Sequence, residues 1–356
     1  MALAEGTGIT LDELRLAARN HAMPLEALRW PVTPVGLHYL LIHYDVPLVD
    51  PAAWTLTLGG SVERPATLTL DGLRALPAVD LVSTMECAGN GRALFDPRPL
   101  SQPWLTEAVG TPRWRGVELA SLLDEVAPSG SAVEVVFGAL DRGVEGGVEQ
   151  RYERSLTLAE ARESGAVLAY EMNGAPLPPQ HGFPLRLVVP GWYGMTNVKW
   201  LTSIEVVEEP FTGYQVASAY RFRLSEDEDG RPVTRMRPRS LLAPPGLPDF
   251  FTRERVVVRG PTTLEGRAWS GRAPIARVEV SDDGGATWAE ARVVSELEGP
   301  WAWVGFTFEW APAAAGARTL CCRATDETGD TQPLEAEWNL GGYENNAVQR
   351  IPVVVR

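Results

Sequence analysis

The sequence predicts an α+β domain followed by an all-β sandwich. Three observations lead to this fold class. Up to about residue 220, short helical patterns alternate with short strand patterns, as in mixed α+β domains. Two stretches, residues 225–230 and residues 244–248, are charged or rich in proline and favour irregular structure. Beyond them apolar residues alternate with a period of two, which is typical of strands.

The length of the chain also indicates several domains. At 356 residues it is too long for one ordinary core, and we expect two or three domains. The predicted units are an N-terminal helical arm over residues 1–30, an α+β domain over residues 31–232 and a β-sandwich over residues 233–356. The joint between the last two lies in the charged and proline-rich stretches.

The N-terminal arm is predicted from helical spacing. Leu11, Leu14 and Leu16 fall on overlapping faces of a helix that extends to about Arg29. Thr10 stands where a residue can cap the first turn.

The α+β domain is predicted from short elements in a fixed order. A strand with alternating apolar residues covers residues 54–58 and ends at two glycines. Short helices follow at residues 69–73 and 119–123, and further strands at residues 133–137 and 185–189.

The sandwich is predicted from hairpin signals in the last third of the chain. Val278 and Val280 alternate, the Asp-Gly-Gly at residues 283–285 supplies a hairpin turn, and Trp288 resumes the apolar face. Residues 306–310 repeat that period with three aromatic side chains. Such a pattern indicates an all-β sandwich of roughly 110 residues.

Charge and composition restrict the functional class. A formal net charge of −14 argues against nucleic acid or an anionic membrane as a partner, because either would favour a basic surface. No apolar run approaches the length of a membrane span, and residues 1–10 carry no export signal. Three cysteines without regular spacing do not make a disulfide framework. We therefore expect a cytoplasmic protein, or a periplasmic one if an export signal has been removed.

The segment at residues 84–92 (TMECAGNGR) holds the first candidate site residue, Cys87. Cys321 and Cys322 are neighbours in a strand pattern and are interpreted as structural, which leaves Cys87 as an isolated thiol. The small residues after it leave room for a bulky ligand, and a soft thiolate suits a soft transition metal. The alternative is a buried cysteine that acts as a small hydrophobic residue.

Lys199 is the only lysine among 32 basic residues. A chain that otherwise uses arginine keeps lysine where a compact ammonium is needed in place of a planar guanidinium, for example against a phosphate. A lysine retained by chance on the surface is the alternative interpretation.

The cysteine segment resembles the molybdenum-binding loop of the sulfite oxidase family, in which Cys-Ala-Gly-Asn is followed by basic residues. The segment at residues 181–200, which begins HGFPLR and ends NVKW, resembles the part of that family that binds the pterin cofactor. The likeness extends from about Thr33 to the end of the chain. It implies a molybdopterin-binding α+β domain joined to an immunoglobulin-like domain through which the protein forms a homodimer.

The resemblance also implies a role for each site residue. It implies that Cys87 ligates molybdenum, that Arg92 holds an anionic substrate, that Trp104 walls the pocket and that Tyr220 donates a hydrogen bond near the metal. The residues implied to bind molybdopterin are His43, Asp141, His181, Arg186, Asn197, Val198 and Lys199. The residue chemistry agrees, because one imidazole, one guanidinium and one ammonium can converge on a phosphate.

Two positions depart from the family pattern. Leu41 and Gly341 stand where sulfite oxidases carry further pocket arginines, so two expected positive charges are missing. The predicted arm contains Arg19-Asn20-His21, which resembles a family triplet but lies too early in register. If the arm folds back, Arg19 could supply one of the missing charges.

The resemblance implies a molybdenum-dependent oxidoreductase that oxidises a small anion, with sulfite as the leading substrate. The sequence holds no Cys-x-x-Cys-His haem motif, so we expect a separate electron acceptor. Oxidation of another sulfur compound and an oxo-transfer reductase are alternatives within the family. A cysteine hydrolase that pairs Cys87 with His181, or a non-catalytic binding module, are alternatives from other classes.

Overall fold

The computed structural model describes residues 8–356, so the first seven residues of the predicted arm lie outside the described residues. Helix α1 spans Leu11–Ala17 and begins with a capping box between Thr10 and Glu13. The prediction that this helix extends to Arg29 is wrong. The helix ends at Ala17, where the Asn20 side chain donates to the carbonyl of Leu16 at 2.9 Å and His21 pairs with Leu40 as an isolated bridge. After Pro24, which lacks an amide hydrogen, only a 3-10 turn, Leu25–Arg29, follows.

The first domain contains the remaining helices and two main sheets. Its helices are α2 Leu70–Arg74, α3 Leu119–Val126 and α4 Leu158–Glu163. Its strands are β1 Thr55–Gly60, β2 Ala66–Thr69, β3 Val79–Val82, β4 Met85–Glu86, β5 Val109–Gly110, β6 Arg113–Glu118, β7 Glu134–Glu145, β8 Val148–Thr157, β9 Val167–Met172, β10 Ala175–Pro176, β11 Arg186–Val188, β12 Leu201–Val207, β13 Arg221–Phe222 and β14 Arg231–Pro232. The helices predicted near residues 69–73 and 119–123 are confirmed. Within residues 8–356, no helix is both long and apolar enough to cross a bilayer.

Two five-stranded sheets frame the core of the first domain. One has the strand order β2-β1-β12-β7-β8, and the other has the order β10-β9-β6-β3 with β11 paired to β9. Their inward-facing apolar residues, including Leu56, Phe137 and Leu187, form one buried cluster with α2 and α3. The strand predicted at residues 133–137 is the start of β7, which continues into a long hairpin with β8.

The second domain is a two-sheet sandwich, as predicted. Its strands are β15 Arg239–Leu242, β16 Leu247–Pro248, β17 Arg255–Val257, β18 Thr262–Trp269, β19 Ile275–Ser281, β20 Ala289–Glu290, β21 Arg292–Val294, β22 Val304–Trp310, β23 Gly316–Asp326 and β24 Ile351–Val355. One sheet has the order β15-β18-β22-β21 and the other the order β16-β17-β24-β23-β19-β20. Val278, Phe306 and Cys322 belong to the core between them.

The predicted joint between the domains is only partly irregular. Residues 225–230 form no helix or strand, as expected. The stretch at residues 244–248 was predicted to be irregular, but its end forms β16. Leu247 and Pro248 pair with the first two residues of β17 at the edge of the sheet, where a proline is tolerated because it needs no partner for the missing amide hydrogen.

A buried polar network ties the two domains together directly before Cys87. The Glu86 carboxylate accepts a hydrogen bond from Arg239 Nη1 at 2.8 Å and one from Trp269 Nε1 at 2.9 Å. Arg239 also donates to the carbonyl of Asn345 at 2.6 Å. Because Glu86 ends β4, this network fixes where the cysteine loop begins relative to the sandwich.

Candidate active site

A cavity of about 660 Å³ lies in the first domain, beside the loop that follows β4. It is lined by segments that are far apart in the sequence. Eight of the predicted site residues line it, namely His43, Cys87, Asp141, His181, Arg186, Asn197, Lys199 and Tyr220. Arg92, Trp104 and Val198 do not line this cavity.

Cys87 occupies one wall of the cavity, and its side chain is almost fully buried. The loop around it is held by Asn90, whose amide nitrogen donates to Glu86 at 2.9 Å and to the carbonyl of Thr106 at 3.0 Å. Burial raises the pKa of the Cys87 thiol, and the nearby Arg92 charge opposes that rise. The thiolate therefore needs a neighbouring positive charge, such as a metal ion, in addition to Arg92.

Arg92 folds back across the cysteine loop. Its Nε donates to the carbonyl of Gly341 at 3.0 Å and its Nη1 donates to the carbonyl of Gln102 at 3.2 Å. A Cβ atom on Gly89 would lie 2.5 Å from the Arg92 guanidinium carbon, so the absence of a side chain there lets the arginine approach Cys87. The guanidinium carbon is 5.2 Å from the centre of the Tyr343 ring.

Trp104 and Tyr220 approach the thiol from two sides. Trp104 is buried in the same apolar cluster as Cys87, and its ring meets the Tyr39 ring edge-on at 6.5 Å. Trp104 therefore supports the cysteine loop from behind the cavity wall. Tyr220 lines the cavity itself, and burial raises the pKa of its hydroxyl well above the ordinary value. Its hydroxyl is consequently a hydrogen-bond donor across the physiological pH range.

Arg186 is a buried cation that lines the same cavity. It donates to the carbonyl of His181 at 3.1 Å and to that of Asn197 at 3.2 Å, and its guanidinium lies over the Trp114 ring at 4.8 Å. Burial lowers the pKa of Arg186 to about 10. Within residues 8–356, no carboxylate forms an ion pair with it, and its Nε has no hydrogen-bond partner.

Lys199 lies beside Arg186 at the cavity wall. Its Nζ donates to the carbonyls of Leu41 at 2.8 Å and Gln180 at 3.1 Å, and it lies 4.4 Å from the centre of the Trp200 ring. Burial and the Arg186 charge lower the pKa of Lys199 to about 7. The structure therefore places the single lysine at the cavity, and the hydrogen-bond partners of its ammonium among the described residues are two carbonyls and no carboxylate.

Two histidines face each other near these cations. The rings of His38 and His181 meet edge-on at 5.4 Å. Burial lowers the pKa of His38 to about 3, and burial together with the nearby positive charges lowers the pKa of His181 to about 2, so both rings are neutral. His38 Nδ1 interacts with the carbonyl of Tyr39 at 2.8 Å, whereas the buried Nε2 atom has no partner.

Asp141 and His43 line the cavity close to Lys199. Burial raises the pKa of Asp141 to about 6, against the opposing charge of Lys199. His43 Nε2 lies 3.0 Å from a Glu145 carboxylate oxygen, which also accepts hydrogen bonds from Tyr44 at 2.9 Å and from a glutamine amide. Glu145 therefore orients the His43 ring.

Asn197 and Val198 shape the wall mainly through the backbone. Asn197 Oδ1 accepts a hydrogen bond from the amide of Val189 at 2.8 Å, and its Nδ2 donates to the carbonyl of Tyr193 at 3.1 Å. The Val198 side chain lies in the core of the first domain. Its carbonyl accepts the amide of Leu187 at 2.8 Å, so its predicted role as a flanking residue refers to the backbone.

Several residues that line the cavity were not among the predicted site residues. They are His38, Tyr39, Leu40, Met85, Ala88, Tyr152, Gly194, Met195 and Trp200. His38 carried a usable signal, since it is one of only four histidines and lies in the segment from which the resemblance starts. Tyr152 lies in β8 and carried none, because a tyrosine in a strand is usually a packing residue.

The two positions that lack an arginine differ in structure. Leu41 lines the cavity. A Cβ atom on Gly341 would lie 2.2 Å from the Tyr343 ring, so that ring fills the space of any larger side chain. Arg19 is exposed and donates to the carbonyl of Tyr44 at 2.5 Å. The suggestion that Arg19 reaches the pocket is therefore wrong, and the buried member of its triplet is Asn20.

The cavity fits an anionic cofactor with a sulfur-ligated metal. Among residues 8–356, no acid is hydrogen-bonded to Arg186 or Lys199, and the Nε of Arg186 and the Nε2 of His38 have no partner and are available to a ligand. Asp141 can accept N–H groups of a heterocycle. Cys87 provides one soft sulfur ligand.

Comparisons with known proteins agree with this geometry. The family model for the oxidoreductase molybdopterin binding domain matches residues 43–215, and that for the Mo-co oxidoreductase dimerisation domain matches residues 245–356. The mitochondrial sulfite oxidase of Macaca fascicularis is 35% identical, over 91% of this chain and 62% of that protein. The sulfite oxidase of Arabidopsis thaliana is 34% identical, over 90% of this chain and 87% of that protein.

Two further comparisons widen the range of activities. The nitrate reductase [NAD(P)H] of Hordeum vulgare is 34% identical, over 91% of this chain but 39% of that protein. The crystal structure of the sulfane dehydrogenase SoxCD from Paracoccus pantotrophus matches with a TM-score of 0.80 and 26% identity, over 92% of this chain and 82% of that one. The chain thus spans 62% of the length of the mitochondrial sulfite oxidases that it matches.

Proposed function

Because this chain belongs to the sulfite oxidase family of molybdopterin-dependent oxidoreductases, we propose that it oxidises sulfite to sulfate. The observation that carries the proposal is the arrangement of one cavity. A buried thiol, Cys87, lines it with Arg92 close by, and the buried cations Arg186 and Lys199 line the same cavity. This arrangement suits an anionic cofactor held by the cations and an anionic substrate near the thiol.

The bound cofactor supplies the two-electron redox chemistry and the oxygen-atom transfer. Cys87 would ligate its molybdenum, and Arg186, Lys199, His38 and His181 would hold its anionic part. Trp104 packs behind the cysteine and keeps water away from it. The Tyr220 hydroxyl, which stays protonated, would donate a hydrogen bond to a substrate oxygen.

The proposed reaction consumes one sulfite and one water and yields one sulfate, two protons and two electrons. The two electrons pass to a separate electron acceptor. Arg92 would draw the anion towards the thiol end of the cavity, because its charge is buried and has no carboxylate hydrogen-bonded to it.

The direct test is a metal and activity assay on purified protein. We expect molybdenum and a pterin that becomes fluorescent on oxidation, together with sulfite-dependent reduction of ferricyanide. Cys87→Ser should remain folded and lose most of the activity, because a hard oxygen ligand replaces a soft thiolate. Cys321→Ser is the matched control, since that thiol is also buried but lies in β23 of the sandwich.

Full activity of Cys87→Ser would contradict the ligand assignment. Wild-type protein that holds molybdenum but does not oxidise sulfite would contradict the substrate. Reaction of the cofactor-free protein with iodoacetamide tests the alternative of a cysteine hydrolase. The activated thiol of a hydrolase would be alkylated quickly, whereas a buried thiol with a raised pKa would react slowly.

Oxidation of a different sulfur compound is the second candidate. It is supported by the absence of arginine at Leu41 and Gly341, and by the apolar and aromatic wall formed by Tyr39 and Met85. The same purified protein should be assayed with thiosulfate as donor, and with nitrate plus a reduced viologen for the reductive direction. A specificity constant for thiosulfate above that for sulfite would favour this candidate.

We also propose that the protein is a homodimer formed through residues 245–356, which match the dimerisation domain. Light scattering should give twice the monomer mass of 38.8 kDa. A monomeric mass at every concentration tested would contradict the proposal. The compartment stays a prediction, for which fractionation of the source cells is the test.

A further inference from the structure

Arg154, on β8, is a buried cation that the proposed mechanism has not used. Its side chain is 4% exposed, and its Nη1 donates to the carbonyl of Gln215. Its Nε has no hydrogen-bond partner, and within residues 8–356 no carboxylate forms an ion pair with it. A guanidinium that is buried in this way is costly unless an anion balances it in the working protein.

Arg154 belongs to a stack of four side chains. Its guanidinium carbon lies 5.5 Å from the centre of the Tyr220 ring, and the Tyr220 ring lies 5.3 Å from the Tyr343 ring. The Arg92 guanidinium lies on Tyr343 at 5.2 Å. Two buried arginines thus flank a pair of tyrosines, and Tyr220 lines the cavity that also holds Cys87.

The stack fills the space beside Gly341, where the family pattern has an arginine, and it brings the charge of Arg92 there. The Tyr343 ring occupies the space that a side chain on Gly341 would need, and it carries Arg92 on its face. Leu41, at the second departure, contributes no charge. The positive charges of the stack are therefore Arg92, which lies near the thiol, and Arg154, which lies on the other side of the two tyrosines.

The anion that Arg154 balances is the substrate in preference to the cofactor. Arg186 and Lys199 donate hydrogen bonds to the carbonyls of His181, Asn197, Leu41 and Gln180. Arg154 lies instead against the Tyr220 ring, which is linked to Arg92 through the Tyr343 ring. Because Arg92 crosses the cysteine loop at Gly89, the stack that contains Arg154 is the one beside that loop.

Resting on the proposed function, we propose that Arg154 is the second cation of the substrate site and acts through Tyr220 on a small oxyanion such as sulfite. It is a positioning residue, because Tyr220 lies between it and the cavity. The cation on the face of the phenol ring makes its hydroxyl a stronger donor, and its charge attracts the anion.

The test compares Arg154→Met and Arg154→Lys with the wild-type protein, each loaded with cofactor. Arg154→Met keeps the length of the side chain and removes the charge. We expect its KM for sulfite to rise by roughly three- to thirtyfold while kcat changes far less, as for the loss of one buried cation–π contact. The inhibition constant of sulfate should rise in parallel, and Arg154→Lys should recover part of both losses. Arg142→Gln, an exposed arginine on the same hairpin, is the matched control.

A second measurement does not depend on turnover. Sulfate should raise the melting temperature of the loaded wild-type protein and should do so less for Arg154→Met. Circular dichroism and molybdenum content establish that each variant is folded and loaded. In Tyr220→Phe, the further change Arg154→Met should have a smaller effect on KM than it has alone, because the two residues act together.

The outcomes separate this inference from the proposed function. Active wild-type protein with unchanged sulfite KM and unchanged sulfate inhibition in Arg154→Met overturns the inference and leaves the function intact. If the wild-type protein does not oxidise sulfite but its stabilisation by sulfate depends on Arg154, the anion site is supported. The proposal that sulfite is the substrate is then overturned. If sulfate fails to stabilise the wild-type protein, the inference is overturned as well.

Discussion

Lys199 illustrates at the scale of one residue how a buried charge can be prepared for a ligand. Its ammonium is held by two carbonyls and an aromatic ring, and burial lowers its pKa to about 7. The site is compact, since both carbonyl oxygens lie within 3.1 Å of one nitrogen. A planar guanidinium cannot replace this point charge without displacing a carbonyl or the Trp200 ring.

Replacing Lys199 should therefore reduce the amount of bound cofactor. We expect Lys199→Ala to copurify with less pterin than the wild-type protein, and Lys199→Arg to restore this only in part. The measurement is the fluorescence of the pterin that is released by oxidation, per mole of folded protein. Arg142→Ala is the control for loss of an exposed cation. Wild-type pterin content in both Lys199 variants would remove Lys199 from the cofactor site.

Gly341 carries the second prediction at this scale. An arginine there matches the family pattern, yet its Cβ would lie 2.2 Å from the Tyr343 ring. We expect Gly341→Arg to lower the free energy of unfolding by about 1–3 kcal/mol, as is usual for overpacking, and to weaken sulfite binding by displacing Tyr343 and Arg92.

Urea denaturation and the sulfite KM check the Gly341 prediction. Gly130→Arg is the matched control, because a Cβ atom on Gly130 would meet nothing within 4 Å. Tighter sulfite binding in Gly341→Arg, without loss of stability, would mean that the pocket lacks only charge and that Tyr343 yields easily.

At the scale of one element, β4 and the loop after it depend on Glu86. Its carboxylate accepts hydrogen bonds from Asn90, Arg239 and Trp269, and all four residues are buried. Removing the charge of Glu86 leaves the Arg239 guanidinium without its acid, which is the costly way to break a buried ion pair.

We expect Glu86→Gln to lower the free energy of unfolding by about 3–5 kcal/mol and to reduce molybdenum content, because the loop that carries Cys87 loses its anchor. Urea denaturation of the cofactor-free protein measures the first effect. Glu63→Gln, which removes one side of an exposed pair with Arg64, should change stability by less than about 1 kcal/mol. Equal stability of the two variants would show that the network does not hold the loop.

The sequence predicts individual elements best where the signal is local. The helix at Leu70–Arg74 follows a threonine cap, and the turn at residues 283–285 follows from its glycines. The long β7–β8 hairpin was missed because its tip alternates exposed and half-buried residues with no apolar face. The N-terminal helix was predicted too long because leucine spacing does not reveal that Asn20 and His21 bind the distant segment at residues 40–42.

At the scale of the whole molecule, most of the residues that the motifs singled out line one cavity. This is because a motif records a ligand contact directly, whatever the distance along the chain. The motifs could not show that Arg92 and Trp104 lie behind the wall, because orientation depends on packing. Arg154 lies in no motif, and its role depends on its contact with Tyr220.

The cofactor should control how the stability of the whole protein depends on pH. In the cofactor-free protein, the pKa of Lys199 lies at about 7, below its ordinary value of 10.5. Between these values the unfolded chain binds a proton that the folded protein does not, so stability should rise with pH over that range. Asp141 acts in the opposite sense at lower pH, since its pKa is raised from 3.8 to about 6 and stability falls as pH rises between them.

A bound anionic cofactor reverses the first of these effects, because its negative charge favours the charged form of Lys199 and raises that pKa again. We therefore expect the rise in stability above about pH 7 to be present in cofactor-free protein and much smaller in the loaded protein. Urea denaturation across the pH range measures it, with protein from a host that cannot make molybdopterin. Lys199→Met should abolish the rise in the cofactor-free protein, because it removes the titrating group. Identical pH profiles of stability for cofactor-free wild type and Lys199→Met would show that Lys199 keeps its ordinary pKa. Lys199 would then not be a buried charge that an anionic cofactor must balance.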